Sequence, residues 1–542
     1  MIPRPYQASC IASTCGQFSR MIAALCVLPT GTGKTVIFAH VIKKFLEHGR
    51  AMVIAHRAEL LYQASEKIFA VTGVRPDIEM AEMKAREGSM FTSPIVLSSI
   101  QTQNAGRKER RMERFDPNEF SLLVIDEAHH ATADSYRRMI DYYRQNPNLR
   151  VMGVTATPDR TDEAALGQIF DGVAYEYQLV DAILDGWLVP ISQQFVDVKG
   201  LDFSQCKTTA GDLNAADLAR VMEYEHNLHG VIDPVIKIVE DRKTLLFAAS
   251  VEHADRMREI IDRHKGGAAR LITGETPKNE RRDMLRDYEE GKFQFLCNVG
   301  VATEGFDMPD VEVVVMARPT KSRSLFAQML GRGTRPLTGL VDGLRNSDER
   351  RAAIAASAKP EILIVDFVGN SGRHKLIHST DILGGRFDDH VVDLAAKIAE
   401  ESEEPGEVLE ALQEAEAKIK AERRAEVEEQ RKMIKGDAVF SIRSIDPFVA
   451  FDIVPQRIPG WDVSRLASEA QVAMLKRNGV PDPEKLHRTH ASQIIDQIIK
   501  NSHRIEATPK QRGFLRFHRV WEDGMSKAEA SKRIGKIKAG GR

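Results

Sequence analysis

The octet Leu28-Pro29-Thr30-Gly31-Thr32-Gly33-Lys34-Thr35 constrains this chain more than any other stretch. The apolar run Ala23 to Leu28 ahead of it reads as a buried strand, and Val36 to Leu46 after it reads as a helix. A strand, a Gly-rich turn ending in Gly-Lys-Thr and a helix make a phosphate-binding loop. Gly31 and Gly33 let several backbone N–H groups point into one hollow, where the helix N-terminus adds partial positive charge. A nucleotide polyphosphate is the expected occupant, held along Thr30, Gly31, Thr32, Gly33, Lys34 and Thr35. Lys34 would reach the β- and γ-phosphates, and the Thr35 hydroxyl would hold Mg²⁺. The first glycine of the usual eight-residue pattern is replaced by Leu28.

Other polar groups fall at predicted strand ends, where open α/β sheets bind ligands. Arg4-Pro5-Tyr6-Gln7 lies ahead of the loop, and the Gln7 amide has the donor and acceptor that match the N6 and N7 edge of adenine. The strand Ala51 to Ala55 ends in His56-Arg57, and Ile95 to Ser99 runs into Ile100-Gln101-Thr102. Arginine and hydroxyls there suit a phosphate backbone, although either segment alone is an ordinary strand end. Leu122 to Ile125 delivers Asp126 and Glu127 to its tip, a costly placement unless a cation compensates them. Asp126 fits a Mg²⁺ role and Glu127 that of the base for an attacking water. His129 could link this tip to the next strand, Val151 to Val154, which ends in Thr155-Ala156-Thr157.

Leu188 to about Asn227 reads as a connector with one helix, Ala215 to Tyr224, after which a second α/β pattern begins. Its strands are expected at 245–249, 271–274, 295–299 and 311–316, with 361–367 completing the sheet. This half lacks a phosphate loop but carries Gln328-Met329-Leu330-Gly331-Arg332-Gly333-Thr334-Arg335. Two arginines three residues apart can address one anion, so Arg332 and Arg335 look like arginine fingers for a transferring phosphoryl group.

Taken in order, these segments, with Thr303-Glu304-Gly305-Phe306-Asp307, resemble the motif series of the superfamily-two helicases over roughly residues 1–370. The resemblance is greatest to the XPB-like and RadD-like DNA helicases and the translocase subunits of restriction enzymes. Gly-Arg-Gly-Thr-Arg is unlike the matching segment of the DEAH-box RNA enzymes, which favours DNA over RNA. The resemblance implies an α/β fold with two RecA-like parallel-sheet domains in tandem and ATP between them, plus a helical C-terminal region. Gln328, Arg332 and Arg335 would come from the second domain, and Gly305 and Asp307 would face the nucleotide. Nucleic acid would lie on His56, Arg57, Ser99, Gln101, Thr102, Thr273, Gly274 and Thr303, with His129, Thr155 and Thr157 coupling the two sites. The expected activity is that of an ATP-dependent DNA helicase or duplex translocase. The rivals are a switch that remodels protein–nucleic-acid complexes without separating strands, and an RNA helicase.

Composition sets the limits. With 76 Lys+Arg against 78 Asp+Glu the chain has no global basic coat, so any nucleic-acid surface is local. No apolar run is long enough for a membrane span, and Met1 opens directly into a motif without room for a signal peptide. Five scattered cysteines, none after Cys297, fit reduced thiols in the cytoplasm and leave no RadD-type zinc module. The expected division is 1–190 and 230–385 for the two motor domains, 191–229 for the connector, 386–460 for a charged helical linker and 461–542 for two small basic helical repeats. Residues 338–358 read as an exposed insertion. The repeat aligns Ser468-Glu469-Ala470-Gln471 with Thr508-Pro509-Lys510-Gln511, and Ala491-Ser492 with Ala530-Ser531. Phe514, Phe517 and Trp521 fall at core spacing, while Arg512, Arg516 and Arg519 among them could meet nucleic acid; the repeats could equally dock a protein.

Overall fold

The computed structural model describes all residues except 56–57, 82, 86–91, 107–108, 157–159, 210, 301–307, 372–373, 386, 403, 434–447, 449–450, 452, 463–464, 505–506, 508, 519, 523–524 and 540–542. Two compact units emerge, residues 1–385 with 393–412, and residues 386–392 with 413–542.

Two seven-stranded sheets form the first unit. The first sheet comprises β1 (Ala23–Val27), β2 (Arg50–Ala55), β3 (Asp77–Glu79), β4 (Ile95–Ser99), β5 (Phe120–Asp126), β6 (Arg150–Thr155) and β7 (Gly172–Glu176). Its order is β3-β4-β2-β5-β6-β1-β7, every pair parallel. Strands β1, β4 and most of β5 are buried along their length, as parallel strands covered on both faces require. The order sets β6 between β5 and β1, so the tips Asp126, Thr155 and Leu28 emerge side by side at one edge. Helix α1 (Pro5–Gln17) precedes this sheet, and α2 (Lys34–Phe45) starts inside the Gly-rich loop.

The second sheet holds β8 (Ile191–Asp202), β11 (Thr244–Ala248), β12 (Ala269–Ile272), β13 (Phe295–Asn298), β14 (Val313–Ala317), β15 (Ile362–Asn370) and β16 (Gly406–Glu407), with a small separate hairpin of β9 (Thr208–Thr209) and β10 (Asp212–Leu213). Its order is β12-β13-β11-β14-β15-β8-β16, parallel except for β16. Two expectations are corrected here. The segment read as a connector supplies β8, an interior strand, and β15 does not close the sheet because β8 and β16 lie beyond it. The apolar pattern of β8 is broken by Ser192 and Gln193, which are nevertheless buried; Gln193 Nε2 donates to Asp366 Oδ2 on β15 at 3.3 Å. An amide that donates to a carboxylate on the neighbouring strand replaces an apolar side chain there, and periodicity cannot see it.

The segment 338–358 is largely exposed, as expected, but it packs at a few points. Its helix Ser347–Ala355 carries Arg350, only 6% exposed, whose Nε donates to Asp185 O at 2.8 Å and whose guanidinium lies 4.0 Å over the Trp187 ring. Charged residues concealed this contact, because an arginine stacked on indole reads as surface.

In the second unit, the helices Glu469–Arg477 and Arg488–Arg504 enclose a core of Leu475, Val480, Ala491 and Ile494. The helices Pro509–Phe517 and Lys527–Ala539 enclose Ala507, Leu515, Met525 and Ala530, with Trp521 partly buried against them. Phe517, expected in the core, is 83% exposed. Leu515 takes the inward position instead, which turns Phe517 outward.

Candidate active site

The loop after β1 is held from three sides. Leu28 N donates to Thr155 O at 2.9 Å, tying its start to the tip of β6. Gly31 and Gly33 have φ of +91° and +75°, values that side chains rarely adopt. Thr32 is buried, its hydroxyl donating to Pro29 O at 2.7 Å, and its carbonyl accepts from Tyr6 Oη and Gln7 Nε2, each at 2.8 Å. A methyl on Gly33 would stand 2.7 Å from Gln7 Nε2. The Gln7 amide is therefore engaged at both ends, since its Oε1 accepts from Arg4 N at 2.8 Å. Gln7 braces the loop in this arrangement. The Arg4 guanidinium lies 4.7 Å over Trp187 and donates to Asp342 at 2.8 Å. Tyr6 stacks on Tyr177 at 4.8 Å, which completes an aromatic wall that the motif alone does not disclose.

Lys34 Nζ stands 3.3 Å from Glu127 Oε1. Glu127 has φ of +49°, a left-handed conformation that costs a non-glycine residue on the order of 1 kcal/mol or more. The turn lifts its carboxylate off the strand line toward Lys34, while Asp126 Oδ1 accepts from Glu127 N at 3.0 Å. Burial pushes the Glu127 carboxyl up, but the Lys34 ammonium, with His129 and Arg332, holds it below the usual carboxylate range. Its Oε2 is buried, 3.5 Å from His129 Nδ1, with no hydrogen bond among the described residues. A buried carboxylate oxygen with bonding capacity to spare fits a site that receives a water and a cation. The Thr35 hydroxyl and the Asp126 carboxylate are oxygen donors, the set that Mg²⁺ prefers.

The second sheet meets this loop directly. Helix Arg323–Leu330, with Gln328 buried on it, ends at Gly331, where a methyl would lie 2.5 Å from Thr30 Cβ. A methyl on Gly31 would lie 3.3 Å from Arg335 Cγ and 3.4 Å from its Nε. Arg335 thus runs alongside the cradle, and the charge of Arg332 is felt at Glu127. His129 joins the halves: its Nδ1 is 3.1 Å from Thr155 Oγ1 and its Nε2 is 3.4 Å from Ser324 Oγ. Ser324 was not anticipated, and a serine inside a helix gives no signal for such a role.

Lys359 was missed too. It is 1% exposed, and its Nζ donates to Pro309 O at 2.6 Å and to Arg335 O at 2.8 Å, tying the segment after Asp307 to the arginine motif. Burial pushes its pKa down to about 7, the Arg335 charge adding to that effect and Asp310 and Glu312 opposing it.

The predicted nucleic-acid residues are more dispersed. Ser99 caps the short helix Ile100–Gln103, accepting from Thr102 N at 3.2 Å and donating to Thr102 Oγ1 at 2.8 Å; both residues are buried, and only Gln101 of the three is exposed. Those hydroxyls shape the strand end rather than face solvent. Thr273 Oγ1 accepts from Glu275 N at 3.2 Å within a turn that Arg281 bonds through the Thr273 and Gly274 carbonyls. His56, Arg57, Thr157, Thr303, Gly305 and Asp307 lie outside the described residues.

Comparison with known proteins follows this division. Residues 1–160 match the family described as Type III restriction enzyme, res subunit, and residues 228–336 match the Helicase conserved C-terminal domain. The protein named "Putative ATP-dependent helicase IRC3" of Saccharomyces cerevisiae is 30% identical over 380 residues, covering 67% of this chain and 50% of that protein. "Putative mitochondrial ATP-dependent helicase irc3" of Schizosaccharomyces pombe is 28% identical over 350 residues, covering 63% of this chain and 56% of that protein. "DNA 3'-5' helicase XPB" of Mycobacterium tuberculosis is 25% identical over 316 residues, covering 57% and 54%. The chain spans about half the length of the curated relatives it matches.

Proposed function

We propose that this chain, whose two-sheet region belongs to the superfamily-two helicases, hydrolyses ATP in the cleft between its sheets and couples that hydrolysis to movement on DNA, as a helicase or duplex translocase. The observation that carries the reading is the approach of Arg335 and Gly331 to the Gly-rich loop, which puts cations of one sheet against the phosphate cradle of the other.

In this reading the triphosphate lies along Thr30 to Thr35, with Lys34 on its β- and γ-phosphates. Thr35 and Asp126 would hold Mg²⁺, which neutralises phosphate charge when bound. Glu127, kept ionised by its cationic neighbours, orients the attacking water and takes its proton. Arg332 and Arg335, beside Gln328, stabilise the charge that develops on the transferring group. Arg4 and Gln7 meet the adenine only by exchanging their present partners, and Gly305 and Asp307 complete the nucleotide contacts. DNA runs over His56, Arg57, Gln101, Gly274 and Thr303, with the buried Ser99, Thr102 and Thr273 shaping the surface from behind. His129, Thr155 and Thr157 pass the state of the ATP site along, His129 having the added contact to Ser324.

We divide the chain into motor domains at 1–190 and 230–385, with β8 and β16 added to the second, a linker over the remainder of 386–460 and two helical repeats at 461–542. Among the described residues no helix is long and apolar enough to cross a membrane. The free cysteines support a reducing compartment, the cytoplasm in our reading.

The test measures ATP hydrolysis with single-stranded DNA, duplex, forked DNA and RNA, beside a strand-displacement assay. Stimulation by DNA with displacement is expected, and absence of stimulation by any nucleic acid would end the reading. The match of residues 1–160 to a restriction-enzyme subunit favours one variant, translocation or remodelling without strand separation, which predicts stimulation by duplex and no displacement.

A further inference from the structure

Two helix pairs in the C-terminal unit share one plan. Ala467 N donates to Leu486 O at 2.9 Å in the first, and Ala507 N to Met525 O at 3.1 Å in the second. Val480 N donates to Leu475 O at 3.1 Å, and Val520 N to Leu515 O at 3.0 Å. Gln471 Nε2 reaches Ser492 Oγ at 2.9 Å, and Gln511 Nε2 reaches Ser531 Oγ at 2.8 Å. Leu475 and Ala491 in one core correspond to Leu515 and Ala530 in the other. What holds a pair together is present in both, so their differences are not demanded by folding.

Those differences concentrate on the surface of the second pair. Phe517 stands where the first pair has Arg477, and it forgoes the stabilisation that burying a phenyl ring provides. It belongs to a small aromatic group: the His518 ring is 4.5 Å from Phe514 and 5.2 Å from Phe517. Charge differs in the same direction. Residues 467–504 carry six Lys/Arg against four Asp/Glu, whereas residues 507–542 carry ten against three. In the first pair Lys476 and Lys485 are ion-paired to Glu484 and Asp482, and in the second Arg533 is ion-paired to Glu522, which leaves the larger positive balance of the second pair standing.

We infer that the second helix pair is a contact surface for single-stranded nucleic acid, with Phe517 stacking on an unpaired base while Lys510, Arg512 and Arg516 neutralise neighbouring phosphates. An exposed ring amid surplus cations complements a strand that offers base faces and phosphates together. A duplex hides its base faces, so stacking selects the single strand. Tethered to the motor, such a site raises the local concentration of the strand without any new contact in the motor itself.

Binding can be read without ATP, which keeps this inference separable from the motor assignment. In the full chain carrying Lys34→Ala, anisotropy would be measured with a labelled oligothymidylate and with a duplex of equal length. Phe517→Ala is expected to weaken single-strand binding roughly tenfold or more while duplex binding stays unchanged, and Phe517→Trp to restore it. Arg512→Gln with Arg516→Gln should weaken binding to the single strand and flatten its salt dependence by about one to two ions. Ultraviolet cross-links to the oligonucleotide should fall in the peptide that contains Phe517. Because the ring is exposed, its removal should leave the helical circular dichroism intact. Single-strand binding by Phe517→Ala equal to the parent, with no cross-link in that peptide, overturns the inference. So does a change of oligomeric state in Phe517→Ala by light scattering, which would assign the ring to a contact between copies of the chain.

Discussion

Lys34 and Lys359 stand on opposite sides of the same cleft, and they are held in opposite ways. Lys34, with 12% of its side chain exposed, faces the Glu127 carboxylate at 3.3 Å. Lys359, 1% exposed, has among the described residues the carbonyls of Pro309 and Arg335 within bonding distance. A lysine beside a carboxylate presents charge and can move it to an incoming anion. One that is buried between carbonyls supplies donors, and neutral amine has two, as many as it uses. The first sheet therefore offers its lysine as chemistry, and the second uses its lysine as carpentry beneath Arg335.

If that contrast is right, charge removal at the cleft should cost far more than removal of the support behind it. Arg332→Ala is expected to lower kcat by on the order of 10³- to 10⁵-fold, the range for arginines that act on a transferring phosphoryl group, with little change in ATP affinity. Single-turnover hydrolysis beside nucleotide titration checks it. A comparable loss of ATP affinity would make Arg332 a ground-state anchor and blur the division between the sheets.

Glu127→Gln comes next, with a loss of about 10²- to 10⁴-fold in hydrolysis and retained ATP binding. The substitution also removes the partner of Lys34, so the ammonium would be free to stay on the phosphates. Slower nucleotide release, measured with a fluorescent ATP analogue, is the signature that separates this from simple misfolding. Normal turnover in Glu127→Gln would falsify the assignment of the base.

How much of this was legible in the sequence depends on whether a group acts locally. The Gly-rich loop, Asp126-Glu127 and the Gln328–Arg335 motif each announce themselves through residues adjacent in the chain, and strand ends are where such groups are useful. The left-handed backbone of Glu127 left no trace, because it is imposed by the turn between β5 and Ala128 rather than by composition. Strand β8 was hidden because Gln193 is buried with its amide donating to Asp366, a residue 173 positions away. Lys359 was invisible for the same reason: its partners lie 50 and 24 residues off, and Ala-Lys-Pro-Glu reads as a loop. Arg350 on Trp187 inverted its own signal, since charge was taken for exposure.

Lys359→Met sharpens the contrast at the next level down. About a tenfold fall in kcat is expected, with the KM for ATP nearly unchanged, because the arginine motif loses an anchor for its carbonyl while the cradle is untouched. The pH dependence carries the sign. An unfolded lysine titrates near its ordinary value of about 10.4, whereas Lys359 in the folded chain is pushed down to about 7. Between those values the unfolded state binds more protons, so this residue's contribution to stability rises with pH across that window. Below about pH 7 both states are protonated and the cost of the buried charge is fully present. Thermal midpoints taken between pH 7 and 9 should therefore rise in the parent relative to Lys359→Met. A constant difference across that range would mean that Lys359 keeps its proton throughout and resembles Lys34 after all.

Ser324→Ala should have the smallest effect. Its hydroxyl is 3.4 Å from His129 Nε2, at the long end of hydrogen-bond distances, while His129 Nδ1 faces Thr155 at 3.1 Å. A neutral bond of this kind contributes about 0.5–1.5 kcal/mol, which is at most roughly tenfold. Since it joins a residue of the first sheet's tip to a helix of the second, its loss should appear in the stimulation of hydrolysis by DNA and leave unstimulated hydrolysis alone. His129→Ala removes the contacts to both sheets at once and should lower both rates. Equal losses in the two variants would mean that Thr155 contributes nothing through His129, and that the link between the sheets runs through Ser324 by itself.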